Sequence, residues 1–254
     1  MRSWQNRGNL LQINLLDSQE PFRGICRHEN LLRNAVARCV TVSEKTFIFA
    51  FMRVLFFENP ESVPPQELEA DMALLPQFRR DRMLAIRRFE SRVLGVKAFL
   101  LLMRALREEY GLAECPQIVF GGHGKPVFAD RPDIHFSLSH CRVGAMCVVA
   151  GGNVGCDIEA ADRRVSDAVI GRCFNAGEAA AVRNSASPSL EFARLWTRKE
   201  AAGKYWGCGI DDAAPDILGR AEKEGLQITS GMSVSRNYVY SLCVGGGGVP
   251  AQIL

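Results

Sequence analysis

The sequence predicts an α+β fold, on three observations. Short apolar strands punctuated by tight turns lie between positions 134 and 160, and a further pair lies near the C-terminus. A long segment over 92–109 places Val93, Val96, Leu100 and Met103 on one helical stripe. Strands and helices then follow one another without the strict alternation of a doubly wound parallel sheet.

In chain order, a strand rich in Phe, Ile and Val is predicted over 46–57. Residues 1–45 have no clean period and read as a poorly ordered extension, with a helix over 29–38 as the alternative. Pro64 and Pro65 open a helix through 67–74, and Pro76 opens a basic run over 78–89. The long helix closes at Tyr110 and Gly111, since a glycine commonly follows the last periodic residue. A glycine-rich loop over 121–126 leads to a strand over 134–138 and an apolar, buried strand over 143–150. Gly151–Asn153 reads as a hairpin turn into a strand over 154–159. Helices follow over 165–173, 176–182 and 189–205, then strands over 227–230 and 237–244, and a flexible tail from 245 to 254.

Composition excludes several classes. A net charge of +3 gives no argument for nucleic acid. No apolar run is long enough to span a membrane. The nine cysteines show no CxxC pair, and several sit in apolar runs, so the expected setting is reducing and cytoplasmic, without a disulfide framework.

Four segments carry the candidate chemistry. In Val154-Gly155-Cys156-Asp157-Ile158-Glu159 the strand period puts both carboxylates on one face and the apolar residues on the other. By itself that is an acidic face turned to water. In Trp196-Thr197-Arg198-Lys199-Glu200-Ala201-Ala202-Gly203-Lys204 the helix period aligns Glu200 with Lys204, which by itself is a surface ion pair. Together, Asp157, Glu159 and Glu200 offer three hard oxygen donors of the kind magnesium takes beside phosphate, and they should converge on one point. The third segment is Gly124-Lys125-Pro126 followed by His135-Phe136-Ser137-Leu138-Ser139-His140. The fourth is the run Arg79, Arg80, Arg82, Arg87, Arg88 and Arg92, either a solvated face or a phosphate grip.

With these motifs in this order the chain resembles the Sfp-type 4′-phosphopantetheinyl transferases, over about 52–244. The resemblance implies a pseudo-dimer of two similar α+β halves, 46–142 and 143–244, each an antiparallel sheet with a long helix. The active site would lie in the cleft between them, in a monomer. It implies transfer of the phosphopantetheine arm of coenzyme A to a serine of an apo acyl or peptidyl carrier protein, with Mg2+ as cofactor and adenosine 3′,5′-bisphosphate released. Asp157, Glu159 and Glu200 would hold the metal. Glu200 would act as base toward the serine, with Lys204 and Asp157 as its catalytic companions. Arg79, Arg82, Lys125, Pro126, Ser139 and His140 would bind coenzyme A, and Glu178 would line the site. Two other classes stay open: a non-catalytic coenzyme A or nucleotide-binding module, and a magnesium-dependent phosphodiesterase.

Overall fold

Two chain segments, each a strand, a helical stretch and then a pair of strands, build two three-stranded antiparallel sheets. The structure, a computed structural model, describes residues 52–121, 124–210, 214–235 and 237–245. The expected extension over 1–45, the alternative helix over 29–38, the start of the first strand and the tail over 246–254 lie outside the described residues.

The first segment comprises β1 (Met52–Glu58), α1 (Pro65–Ala73), α2 (Gln77–Leu84), α3 (Phe89–Tyr110), the short β2 (Ile118–Phe120) and β3 (Pro126–Phe128), β4 (His135–Cys141) and β5 (Gly144–Ala150). The second comprises β6 (Val154–Ala160), α4 (Asp167–Cys173), α5 (Ala176–Asn184), α6 (Pro188–Trp206), α7 (Ile217–Lys223), β7 (Gln227–Ser233) and β8 (Tyr238–Val244). The strand orders are β1-β5-β4 and β6-β8-β7, so in both sheets the last strand of the segment enters the middle. The expected α+β class and its long helices are present. β2 and β3 pair as an antiparallel hairpin that the sequence reading did not separate from its surroundings, and α7 was likewise not anticipated.

One expectation needs correcting. Gly151–Asn153 does not close a hairpin between β5 and β6. β5 pairs with β1 on one edge and β4 on the other, so no edge remains for β6, which pairs with β8. β5 is buried at all seven positions because both its faces are covered. Ala145, Cys147 and Val149 pack with α3 residues such as Phe99 and Leu102, whereas Met146, Val148 and Ala150 meet Val154, Cys156 and Ile158 of β6. The turn over 151–153 therefore carries the chain from one sheet to the other.

α3 lies across the first sheet and α6 across the second. α3 ends where Gly111 takes a left-handed conformation (φ 65°) and its N–H returns to the Arg107 carbonyl. The two sheets share a core in which the Phe56 ring stacks on Tyr238 at 5.9 Å and meets Tyr240 edge-on at 4.9 Å. At its margin the Tyr238 hydroxyl donates to the buried carboxylate of Glu58 at 2.9 Å. Among the described residues no helix is long and apolar enough to cross a membrane.

Candidate active site

The alternation of β6 decides which way its acids point. Val154, Cys156 and Ile158 enter the core shared with the first sheet. Asp157 and Glu159 fall on the opposite face, against α6. Strand and helix approach closely because Gly155 has no side chain. A β-carbon there would overlap the Ala201 carbonyl and come 2.5 Å from the Tyr205 nitrogen. Gly203 does the same for the segment after α6, where a β-carbon would lie 2.6 Å from the Gly209 carbonyl oxygen. Gly155 is thus required by the approach that brings Glu200 and Lys204 to the acidic strand, and Gly203 by the packing of the segment that follows α6.

Asp157 is 6% exposed, so its face of β6 is not turned to bulk water. Its Oδ1 accepts from Lys204 Nζ at 2.7 Å and from Ser139 Oγ at 2.6 Å, and Lys204 also donates to Ser139 Oγ at 2.9 Å. This triangle joins β4, β6 and α6, one element of the first half and two of the second. Desolvation pulls the Lys204 pKa down, but Asp157, Cys156 and Glu200 outweigh it and hold it above the ordinary lysine value. Burial, and then the neighbouring Asp157, raise the Glu200 pKa; Lys204 and Arg163 oppose this and Glu159 adds to it. Glu200 therefore shares one electrostatic neighbourhood with both acids of β6.

The three expected metal ligands are brought into one region but not drawn together. Among the described residues no trio of His, Cys, Asp or Glu is arranged as a ready-made ion site. Each β6 acid already has partners. Asp157 holds Lys204 and Ser139. Glu159 accepts from its neighbour Ala160 N at 2.9 Å through Oε1 and pairs with Arg163 through Oε2. The donor set itself fits a hard divalent cation: three carboxylates on two facing elements, with Glu200 burdened by like charge.

The expected coenzyme A residues divide. Arg79 donates to the Gly95 carbonyl at 3.1 Å and lies over the Phe99 ring at 5.2 Å, while its buried Nε has no partner. Burial and the adjacent Arg82 push its pKa down to about 10. Arg82 itself is exposed. The exposed His140 ring is lowered in pKa by partial desolvation, then by Lys204 and Arg79, which ties Arg79 electrostatically to the Asp157 region.

Lys125 is engaged within the chain. Its ammonium donates to Asn153 Oδ1, the Val154 carbonyl at 3.0 Å and the Tyr205 carbonyl at 2.9 Å, so it ties the start of β3 to the second half. Desolvation lowers its pKa to about 8. Pro126 follows it as the first residue of β3, half-buried. Arg80 and Arg92 serve the backbone: Arg80 donates to the carbonyls of Met72, Ala73 and Leu75, and Arg92 to that of Ile86. Glu178 is structural too. It completes a capping box with Asn175 at the start of α5 and pairs with the fully buried Lys199 at 2.7 Å.

Sequence reading missed Arg163. Its guanidinium, paired with Glu159, lies 5.6 Å from the Phe192 ring centroid and 5.3 Å from that of Trp196. The available signal was its position just after the acidic strand.

Residues 153–229 match the family model of the 4′-phosphopantetheinyl transferase superfamily. The chain is 37% identical over 101 residues to 4′-phosphopantetheinyl transferase AcpT of Escherichia coli O157:H7, covering 38% of this chain and 51% of that protein. It is 33% identical over 129 residues to 4′-phosphopantetheinyl transferase psf-1 of Bacillus pumilus, covering 49% and 54%. With AcpT of Salmonella typhi the identity is 35% over 118 residues, covering 42% and 61%. The matched stretches thus span about half of these curated relatives, 51% to 61% of their length.

Proposed function

We propose that this chain, which matches the 4′-phosphopantetheinyl transferase superfamily model over residues 153–229, moves the phosphopantetheine arm of coenzyme A onto a serine of an apo acyl or peptidyl carrier protein. The observation that carries the reading is the Asp157–Lys204–Ser139 triangle beside Glu200: a cation and a half-buried base facing one acidic strand. The shared strand order of the two halves supports a pseudo-dimer with the reaction in the cleft between them.

In the reaction the serine oxygen forms a bond to the β-phosphorus of coenzyme A. The bond from that phosphorus to the bridging oxygen breaks, and adenosine 3′,5′-bisphosphate leaves with the electron pair. Glu200 takes the serine proton, and the raised pKa that burial and Asp157 give it makes it a stronger base than an exposed glutamate. Lys204, held protonated by Asp157, offsets charge on the leaving phosphate. Arg79 and Arg82, a cationic pair with no carboxylate partner among the described residues, suit the nucleotide's 3′-phosphate. Ser139 and His140 suit the phosphates on the β4 side. Asp157, Glu159 and Glu200 would hold Mg2+, which supplies charge stabilisation on the pyrophosphate oxygens.

Purified protein, coenzyme A, Mg2+ and an apo carrier protein should give a carrier heavier by one phosphopantetheine arm in intact-mass spectrometry. Asp157→Ala should abolish the gain while leaving the circular dichroism spectrum unchanged. No gain on any acyl or peptidyl carrier would overturn the assignment. Binding of coenzyme A without transfer would point instead to a non-catalytic binding module.

A further inference from the structure

We propose that Arg163 is the resident counter-ion of Glu159, holding that carboxylate until a divalent cation takes it, and that Phe192 and Trp196 keep the released guanidinium in place. The inference rests on the reading of Asp157, Glu159 and Glu200 as the metal ligands.

The region contains three carboxylates and two engaged cations. Lys204 belongs to Asp157, in a triangle closed by Ser139. Arg163 belongs to Glu159, reaching back over the turn in which its own N–H meets the Ala160 carbonyl at 3.3 Å. With Ala160 N on one oxygen and Arg163 on the other, both oxygens of Glu159 are taken within the chain. This accounts for a complete donor set that is not assembled into an ion site.

The two cations differ in how easily they yield. Lys204 is held by two acceptors, Asp157 Oδ1 and Ser139 Oγ, and the side chains of Lys204 and Asp157 are 28% and 8% exposed. The Arg163 side chain is 40% exposed and Glu159 13%, so water and salt weaken their attraction. Arg163 also has an alternative hold. Phe192 and Trp196 stack at 5.5 Å with 20° between their planes, and the guanidinium lies over both. A guanidinium attracted to ring faces keeps that contact when its carboxylate leaves. A divalent cation brings twice the charge to the same oxygen, so exchange at Glu159 is the low-cost route to an assembled site.

The test uses Mn2+ as the probe on the full chain, its free concentration read by electron paramagnetic resonance, alongside tryptophan emission. Wild type should bind Mn2+ with an emission change that disappears in Trp196→Phe. Arg163→Gln should bind Mn2+ with a Kd about fivefold lower, the worth of a partly exposed ion pair, and without the emission change. Arg164→Gln, which removes the exposed neighbouring charge, should move the Kd by less than about twofold. Unchanged or weaker Mn2+ binding in Arg163→Gln overturns the proposal, because a residue that only positions Glu159 would lose affinity. Should Arg163→Gln not fold, the Arg163 side-chain N–H resonance of wild type decides: it should move on Mg2+ addition, and a fixed resonance overturns the exchange. If wild type binds no Mn2+, or Asp157→Asn and Glu200→Gln bind it as well as wild type, the metal reading falls and the proposal with it.

Discussion

At the residue scale, Asp157 does the most with the least exposure. Its Oδ1 gathers Lys204 and Ser139, and its charge helps to set the pKa of both Lys204 and Glu200. On the proposed reaction, replacing Lys204 with Met removes the cation assigned to the leaving phosphate; transfer should fall by about 10²-fold or more, read as kcat in the mass assay, since removing one preorganised charge from a reacting centre costs on that order. Lys125 offers a separate pH signature. Desolvation sets its folded pKa at about 8, against an ordinary value of 10.5. Between those values the unfolded chain binds the proton and the folded chain does not. Stability therefore rises with pH across that window, and the gain is lost as pH falls through about 8. Thermal melts from about pH 8 to pH 10 should show that rise in wild type and a flatter profile in Lys125→Met.

At the element scale, the approach of β6 to α6 is what turns two ordinary motifs into one site. The approach depends on Gly155, where any β-carbon meets helix backbone that has no flexible end to move aside. Gly155→Ala should destabilise by about 3 kcal/mol, at the upper end of overpacking costs, measured by urea denaturation. Any folded fraction should transfer poorly, because the acids would be pushed away from Glu200 and Lys204. The strand alternation of β6 was legible in the sequence: a period of two puts Asp157 and Glu159 together with no further information. That this face meets a helix and not water was not legible. The same alternation describes a solvated edge strand, and only α6 arriving from some forty residues later distinguishes them.

At the scale of the whole molecule, the two sheets are held together by a core that neither half completes alone. Phe56 of the first sheet packs on Tyr238 and Tyr240 of the second. Phe56→Ala should cost about 3–5 kcal/mol, and both halves should lose structure in one transition by far-UV circular dichroism and tyrosine fluorescence. Two separate transitions would show that the halves are stable independently. Tyr238→Phe should cost about 1–3 kcal/mol, because Glu58 stays buried with one donor fewer.

The sequence by itself determined the α+β class, the long helices over 89–110 and 188–206 to within a few residues, and the sharing of one strand face by Asp157 and Glu159. These follow from local rules of period, turn and cap, which act over a few residues. Tertiary structure decided the rest. The turn over 151–153 looks like a hairpin from its residues, but the all-apolar β5 has both edges taken by β1 and β4, and β6 is sent to another sheet. The partners the Lys125 ammonium takes, Asn153 Oδ1 and the Val154 and Tyr205 carbonyls, are not written in its motif either. Arg163 has no motif of its own, and packing sets its guanidinium between Glu159 and the rings of Phe192 and Trp196. Which partner a charged side chain takes depends on what packing brings within reach, and a sequence read in short windows does not contain that distance.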